Sequence, residues 1–260
     1  MKTNFQLATG PLSYLKEVNI DLELKGKHFD QLVVADEDTY ERVVLSILSD
    51  LMDEDPNKLT LSEMYHLFLF VKVQSLNSKL SLSVRCHNIL HAVKDLSEVQ
   101  RECGALNSFE YSLLDSDIVY CPKNYKIPEI SFMTEGKVQQ YEVRPPTMNH
   151  ELDLLAYFQE KGVTREDLSR DRQQQLAFAK HRILLHMRGK ETGEDFFDRK
   201  RREKAVEDIS ENSVSFIQKA GELMGEVNSF GVSNKRMTLT CKECGGKVNF
   251  RLPLSAGISM

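Results

Sequence analysis

Residues 238–254 read TLTCKECGGKVNFRLPL. Thr238 and Leu239 lead as a short strand into Cys241, and Cys244 follows after two residues. Lys247-Val248-Asn249-Phe250-Arg251-Leu252 then alternates polar and apolar side chains, the pattern of a second strand. The spacing lets two sulfurs meet one metal ion, while Gly245 and Gly246 permit the tight turn beneath it. A redox Cys-x-x-Cys needs its second cysteine near the start of a helix, and here a strand follows. The stretch therefore predicts one half of a zinc ribbon, with a pair of free thiols as the competing reading.

Half a site cannot hold zinc, so two more ligands must come from elsewhere in the chain. Leu80, Leu82 and Val84 alternate with serines into Cys86, and Phe109-Glu110-Tyr111-Ser112-Leu113 forms a strand pattern after Cys103-Gly104. Between the cysteines, Leu90, Val93, Leu96 and Val99 predict a helix over 89–101. The outline matches that of the tail, with sixteen residues between the cysteines instead of two. The expected ligand set is Cys86, Cys103, Cys241 and Cys244. Cys121, before Pro122, competes for one position, and His87 and His91 would form an i, i+4 pair if the helix began early. Cys86 or Cys103 could equally be an ordinary buried thiol. Four protein ligands fill a tetrahedral shell, so such a site is structural. Structural zinc contributes about 10–16 kcal/mol in small peptides, against the roughly 5–15 kcal/mol that stabilises a whole domain.

The rest of the chain supplies an α+β setting of mixed helices and short antiparallel strands. Val18 to Leu24 alternates as a strand within an otherwise irregular stretch over 1–36. A helix begins near Asp36, with Tyr40, Val43, Val44, Ile47, Leu48 and Leu51 on one stripe. Thr60 and Glu63 form a capping box for a second helix, Leu61 to about Val73, apolar on nearly every side and so expected at a domain centre. Residues 125–145 predict a hairpin turning at Glu135-Gly136. Thr147 or Asn149 then caps a helix to about Glu160, and a longer helical region runs from Thr164 to about Met187. Phe216, Ile217, Ala220, Leu223, Met224 and Val227 form a last stripe, ended by Gly231. This divides the chain into an α+β domain over 1–147 carrying half the metal site, a mainly helical region over 148–236, and zinc-knuckle strands over 237–260 that pack back on the first domain.

Composition narrows the function. The 260 residues are 41% hydrophobic and 28% charged, ordinary for a globular protein, and the net charge of −5 offers no bulk attraction to a nucleic-acid backbone. No run approaches the roughly 18 apolar residues of a membrane span, and the first ten residues, MKTNFQLATG, lack a signal-peptide core. Synthesis in a reducing cytoplasm is expected, where five cysteines suggest metal ligands or free thiols rather than disulfides. No phosphate-binding glycine loop, nucleophile elbow or His-Glu-x-x-His occurs, so a non-enzymatic protein is expected. His181 and His186 are five residues apart, hence on different sides of a helix. Arg199-Lys200-Arg201-Arg202, bracketed by acidic residues, reads as a solvated helix face with i, i+4 pairs rather than a nucleic-acid contact.

The order of these features resembles the base-plate hub assembly proteins of T-even-type, contractile-tailed bacteriophages. The resemblance rests on Leu59-Thr60-Leu61-Ser62-Glu63-Met64-Tyr65-His66-Leu67, on the strands meeting Cys86 and Cys103, on Val143-Arg144-Pro145-Pro146-Thr147 before a helix, and on the closing Cys-x-x-Cys with its strand. It does not extend to residues 160–210, and the long insert between Cys86 and Cys103 departs from the close pair such proteins carry. It implies a virion-assembly or structural protein that binds other hub or wedge proteins in the host cytoplasm, with retention in the tail base plate as a possible fate. The alternative is a zinc-ribbon accessory factor of transcription or replication that binds nucleic acid.

Overall fold

The structure is a computed structural model, and it describes residues 2–35, 39–75, 79–94, 97–112, 118–134, 136–211, 214–232 and 236–251. The first layer opens with strands β1 (Lys2–Phe5) and β2 (Val18–Asp21), paired antiparallel so that Phe5 faces Val18. Helix α1 (Gly26–Val33) occupies part of the stretch expected to be irregular. Helix α2 (Tyr40–Leu51) buries Tyr40, Val44, Ile47, Leu48 and Leu51, the expected stripe. Helix α3 (Leu61–Ser75) starts at the expected capping box: the Thr60 N–H donates to Glu63 Oε2 at 2.7 Å, and the Glu63 N–H to Thr60 Oγ1 at 3.3 Å. Met64, Leu67, Phe68 and Val71 of α3 pack with β1, β2 and α2 in one core, which Met148 joins from a distance in sequence.

Beyond α3 the chain enters β3 (Lys79–Arg85), β4 (Ile89–Lys94), β5 (Ser97–Glu102) and β6 (Leu106–Ser112). β3 pairs with β6, and β4 with β5, both antiparallel. The helix expected over 89–101 is thus a β-hairpin, in which Ala92 faces Val99 across the ladder. Next come β7 (Ile118–Val119), β8 (Glu129–Thr134) and β9 (Lys137–Val143). The β8–β9 hairpin falls where the alternation placed it, with Ile130, Phe132, Tyr141 and Val143 buried and Val138 exposed.

Helix α4 (Met148–Glu160) is capped by Thr147, whose N–H donates to His150 Nδ1 at 3.2 Å. The long helical region after it is two helices, α5 (Arg165–Arg170) and α6 (Arg172–Leu185), divided at Asp171. The Asp171 carboxylate accepts the Gln173 N–H at 2.7 Å and caps α6, so the expected helical region is interrupted at this one residue. The chain then leaves helix close to the expected end and forms β10 (Met187–Gly189), which completes a three-stranded antiparallel sheet in the order β10-β9-β8. Helices α7 (Arg199–Glu211) and α8 (Val214–Val227) cover it: Ala205, Ile209, Ala220 and Val227 share a core with Phe132, Tyr141 and Phe196. His181 is buried beside Tyr157, and His186 at the end of α6 is buried and hydrogen-bonded to Asn228.

The charged stretch at the head of α7 needs correction. Arg202 is completely buried, donating to Asp153 Oδ2 at 2.8 Å and to the carbonyl of Phe196 at 3.0 Å. Arg199 pairs with Asp153 and Glu160 of α4, and Arg201 with Glu194. The arginines thus form ion pairs that join α7 to α4 and to the preceding loop instead of i, i+4 pairs, while Lys200 and Lys204 are exposed as expected of a solvated face. The Asp153 carboxylate and the carbonyls of Phe196 and Phe197 offset part of the water this buried guanidinium loses, while its Nε has no hydrogen-bond partner among the described residues.

After α8, β11 (Gly231–Val232) pairs with β7, and the chain ends among described residues in β12 (Arg236–Thr240) and β13 (Lys247–Arg251), an antiparallel pair. At Gly231 (φ +110) a side chain would collide with Ser62 Oγ, which itself donates to the Phe230 carbonyl at 2.7 Å. This glycine lets the last segment return against the start of α3. No helix among the described residues is long and apolar enough to cross a membrane.

Candidate metal centre

Two strand pairs, β3–β6 and β12–β13, each end in a cysteine turn, and the two turns face each other. The sulfurs of Cys86, Cys103, Cys241 and Cys244 all lie within 4.8 Å of one another. Cys86 Sγ is 3.7 Å from Cys244 Sγ, and Cys103 Sγ is 3.8 Å from Cys241 Sγ, so the contacts run between the turns. These separations suit four sulfurs arranged about a single ion, since zinc–sulfur bonds of about 2.3 Å in a tetrahedron place neighbouring sulfurs just under 4 Å apart. Cys86 and Cys241 are buried, and they pack with Val84, Ala105, Leu239 and Val248 in a small apolar cluster of their own. The four cysteines expected as ligands are the four brought together.

The turns are built alike. In the first, the Cys86 N–H donates to the Ala105 carbonyl at 2.8 Å and the Gly104 N–H to the Cys86 carbonyl at 2.9 Å. In the second, the Cys241 N–H donates to Gly246 at 2.9 Å and the Gly245 N–H to Cys241 at 2.9 Å. Gly104 and Gly245 take the same left-handed conformation, φ +68 and +67, each directly after the second cysteine of its turn. Only glycine adopts it without strain. The β4–β5 hairpin interrupts the first turn between its two cysteines and is closed at its base by the Cys103 N–H donating to the Asn88 carbonyl at 2.8 Å.

The other candidate ligands lie elsewhere. Cys121 is buried in the core shared by the three-stranded sheet and α8, and its backbone N–H donates to the Ala8 carbonyl at 2.7 Å. Burial raises its thiol, as it does for an ordinary core cysteine. His87 is exposed and paired with Glu102 at the foot of the hairpin. The side chain of His91 lies outside the described residues, and the strand there removes the helical i, i+4 spacing.

Two asparagines that drew no notice in the sequence border the sulfurs. Asn107 Nδ2 lies 3.4 Å from Cys241 Sγ, and Asn88 Nδ2 lies 3.7 Å from Cys244 Sγ. The signal for them was position alone, each a few residues from a ligand.

The thiols divide by turn. The Cys244 N–H, with help from Asn107 and the Glu243 N–H, pulls Cys241 down to about 6. Cys244 is lowered by the Gly246 N–H and the Asn88 carboxamide. Burial pushes Cys86 up to about 12. For Cys103 the Ala105 N–H lowers the thiol, but burial and the neighbouring thiols outweigh it and the net direction is up. Cys241 of the tail turn thus offers a thiolate near neutral pH, and the first turn offers thiols that a metal must deprotonate.

The chain matches no protein-family model, no curated protein and no solved structure. What can be said of it follows from the architecture itself: an α+β protein with a four-cysteine cluster able to hold a metal ion.

Proposed function

We propose that the protein is a non-enzymatic assembly or structural component of a contractile phage tail base plate, stabilised by one structural zinc ion at Cys86, Cys103, Cys241 and Cys244. The observation that carries the metal reading is the cluster itself: four sulfurs within 4.8 Å, presented by two turns with the same hydrogen bonds. A four-thiolate shell has no position left for water or substrate, which supports a structural rather than a catalytic ion. Tetrahedral sulfur sites also take iron, so elemental analysis of the purified protein must decide between the metals. About one zinc per chain is expected; protein that is well folded without metal would overturn the zinc reading.

The tail-assembly reading rests on the resemblance of particular segments. Two of them, the stretch from Leu59 to Leu67 and the Arg144-Pro145-Pro146-Thr147 stretch, meet in space. Thr60 forms an isolated bridge with Thr147, and the Met148 N–H donates to the Leu59 carbonyl at 2.7 Å. A shared contact supports treating them as one feature. Partners would be other hub or wedge proteins, and binding would be seen as co-elution of the purified protein with them.

The nucleic-acid reading rests on the same cysteines plus the basic cluster, and the ion pairs that Arg199, Arg201 and Arg202 make within the protein favour the assembly reading over it. Salt-sensitive binding to DNA or RNA, with no binding to tail proteins, would restore it and overturn the assembly reading.

A further inference from the structure

Asn88 lies within the first cysteine turn and Asn107 just after it, but both carboxamides reach across to the sulfurs of the second. Asn107 is buried within β6. Its Nδ2 lies 3.2 Å from the Ala105 carbonyl and 3.4 Å from Cys241 Sγ, and its Oδ1 accepts the Lys242 N–H at 2.9 Å. Asn88 Nδ2 lies 3.7 Å from Cys244 Sγ, and a side chain at Gly246 would collide with that same carboxamide. The tail glycine therefore keeps open the space that Asn88 fills.

Four thiolates around a divalent ion carry two surplus negative charges, and donors around the sulfurs spread that charge and fix the ligand orientation. Each tail cysteine has one carboxamide donor from the opposite turn. We propose that Asn88 and Asn107 are positioning residues of the metal centre, holding the sulfurs of Cys244 and Cys241 through N–H···S hydrogen bonds that tie one turn to the other. The proposal rests on the metal-site reading. It adds that the site is completed by groups of the first turn acting on ligands of the second, beyond the four ligands themselves.

Two substitutions isolate the donors. Asn107→Asp keeps the shape and the oxygen that accepts the Lys242 N–H, but replaces the N–H group facing Cys241 with a carboxylate oxygen and its negative charge. Asn88→Ala removes the donor to Cys244 at a half-buried position without adding charge. The full chain is loaded with zinc for competition against a chelator, and with cobalt(II) for absorption spectroscopy. Each variant is expected to bind metal about 10-fold more weakly than the unaltered protein, and its sulfur-to-cobalt charge-transfer band is expected to shift. The far-ultraviolet circular dichroism of the helices is expected to stay the same. Unaltered affinity and cobalt spectrum in Asn88→Ala would overturn the proposal, even if Asn107→Asp failed to fold. An unaltered chain that binds neither metal would instead overturn the metal-site reading on which the proposal stands.

Discussion

The two cysteine turns make the same backbone hydrogen bonds and place a glycine at the same φ, yet the tail turn spans Cys241 to Cys244 directly and the other is opened by the whole β4–β5 hairpin. The comparison teaches that the turn is defined by its closing contacts and not by the length of chain between its ligands. Asn88 and Cys103, joined by a hydrogen bond, occupy the place where an uninterrupted turn would have a peptide bond. A hairpin that pairs with itself brings its own ends together, so the insertion leaves little loop-closure entropy for the metal site to offset.

The largest effect should come from the ligands, and it should be equal for both turns. Cys86→Ser and Cys241→Ser each remove a buried sulfur, and both variants are expected to lose stoichiometric metal. Several kcal/mol of ribbon stability should go with it, drawn from the roughly 10–16 kcal/mol that structural zinc supplies in small peptides. Hydrogen exchange would show β12 and β13 losing protection while α2 and α3, which have a separate core, keep theirs. A metal content that survives one substitution but not the other would break the equivalence.

Protons should distinguish the turns where the ligands do not. Cys241 is lowered to about 6, so the stability it contributes is present above the range of an ordinary thiol and lost as pH falls through about 6. Cys86 and Cys103 are shifted upward, so at pH 7 they still carry their protons before metal arrives. Metal binding at pH 7 is expected to release fewer than four protons, those of Cys86 and Cys103 among them. Calorimetry in buffers of different ionisation enthalpy counts them. Metal should be retained at neutral pH and lost as pH falls and protons compete for the sulfurs, followed with a chromogenic chelator. Release of four protons at pH 7 would mean that the tail turn offers thiols as well.

The same pair of turns shows how far the amino-acid sequence could be read. The tail was legible because its two ligands, its glycines and its second strand are contiguous. The identity of the partner cysteines was legible too, since strand patterns flank Cys86 and Cys103. The hairpin between them was not: Leu90, Val93 and Val99 fit helical spacing, and short apolar runs do not separate the two periods. Its β-branched content and the register that sets Ala92 against Val99 were the better guide. In the body of the protein, the capping box at Thr60 and Glu63 and the stripe of α2 were local and readable. The burial of Arg202 was not, because its partner Asp153 lies on another helix and its carbonyl partner on a preceding loop. Nor was β10, a three-residue strand recognisable only by its pairing with β9.

A smaller effect tests whether the turns are equal in backbone strain. An alanine Cβ at Gly104 or at Gly245 meets no atom within 4 Å, so each substitution costs only the left-handed conformation, roughly 1–2 kcal/mol. Gly104→Ala and Gly245→Ala should lower the unfolding free energy of the metal-loaded ribbon by the same amount. Gly246→Ala is the contrast: it collides with the Asn88 carboxamide and should weaken metal binding more than either. Unequal costs for the first two, measured by denaturant unfolding, would show that the hairpin strains the turn it interrupts.

The smallest expected effect is also the sharpest test of the comparison. Deleting residues 89–102 joins Asn88 to Cys103 and leaves Cys86-His87-Asn88-Cys103-Gly104, which has the spacing of Cys241-Lys242-Glu243-Cys244-Gly245. The closing bonds from Cys86 to Ala105 and from Gly104 to Cys86 lie outside the deleted segment, as do both asparagine donors. The shortened chain should therefore bind one metal ion with the affinity of the full chain and give the same cobalt spectrum. The peptide bond that replaces the Asn88–Cys103 hydrogen bond draws the two residues closer, from the roughly 5.5 Å between hydrogen-bonded partners on adjacent strands to 3.8 Å. The turn absorbs that change if it resembles the tail turn as closely as its hydrogen bonds indicate. A shortened chain that loses the metal would mean that the hairpin shapes the first turn, and the likeness of the two would then depend on the insertion.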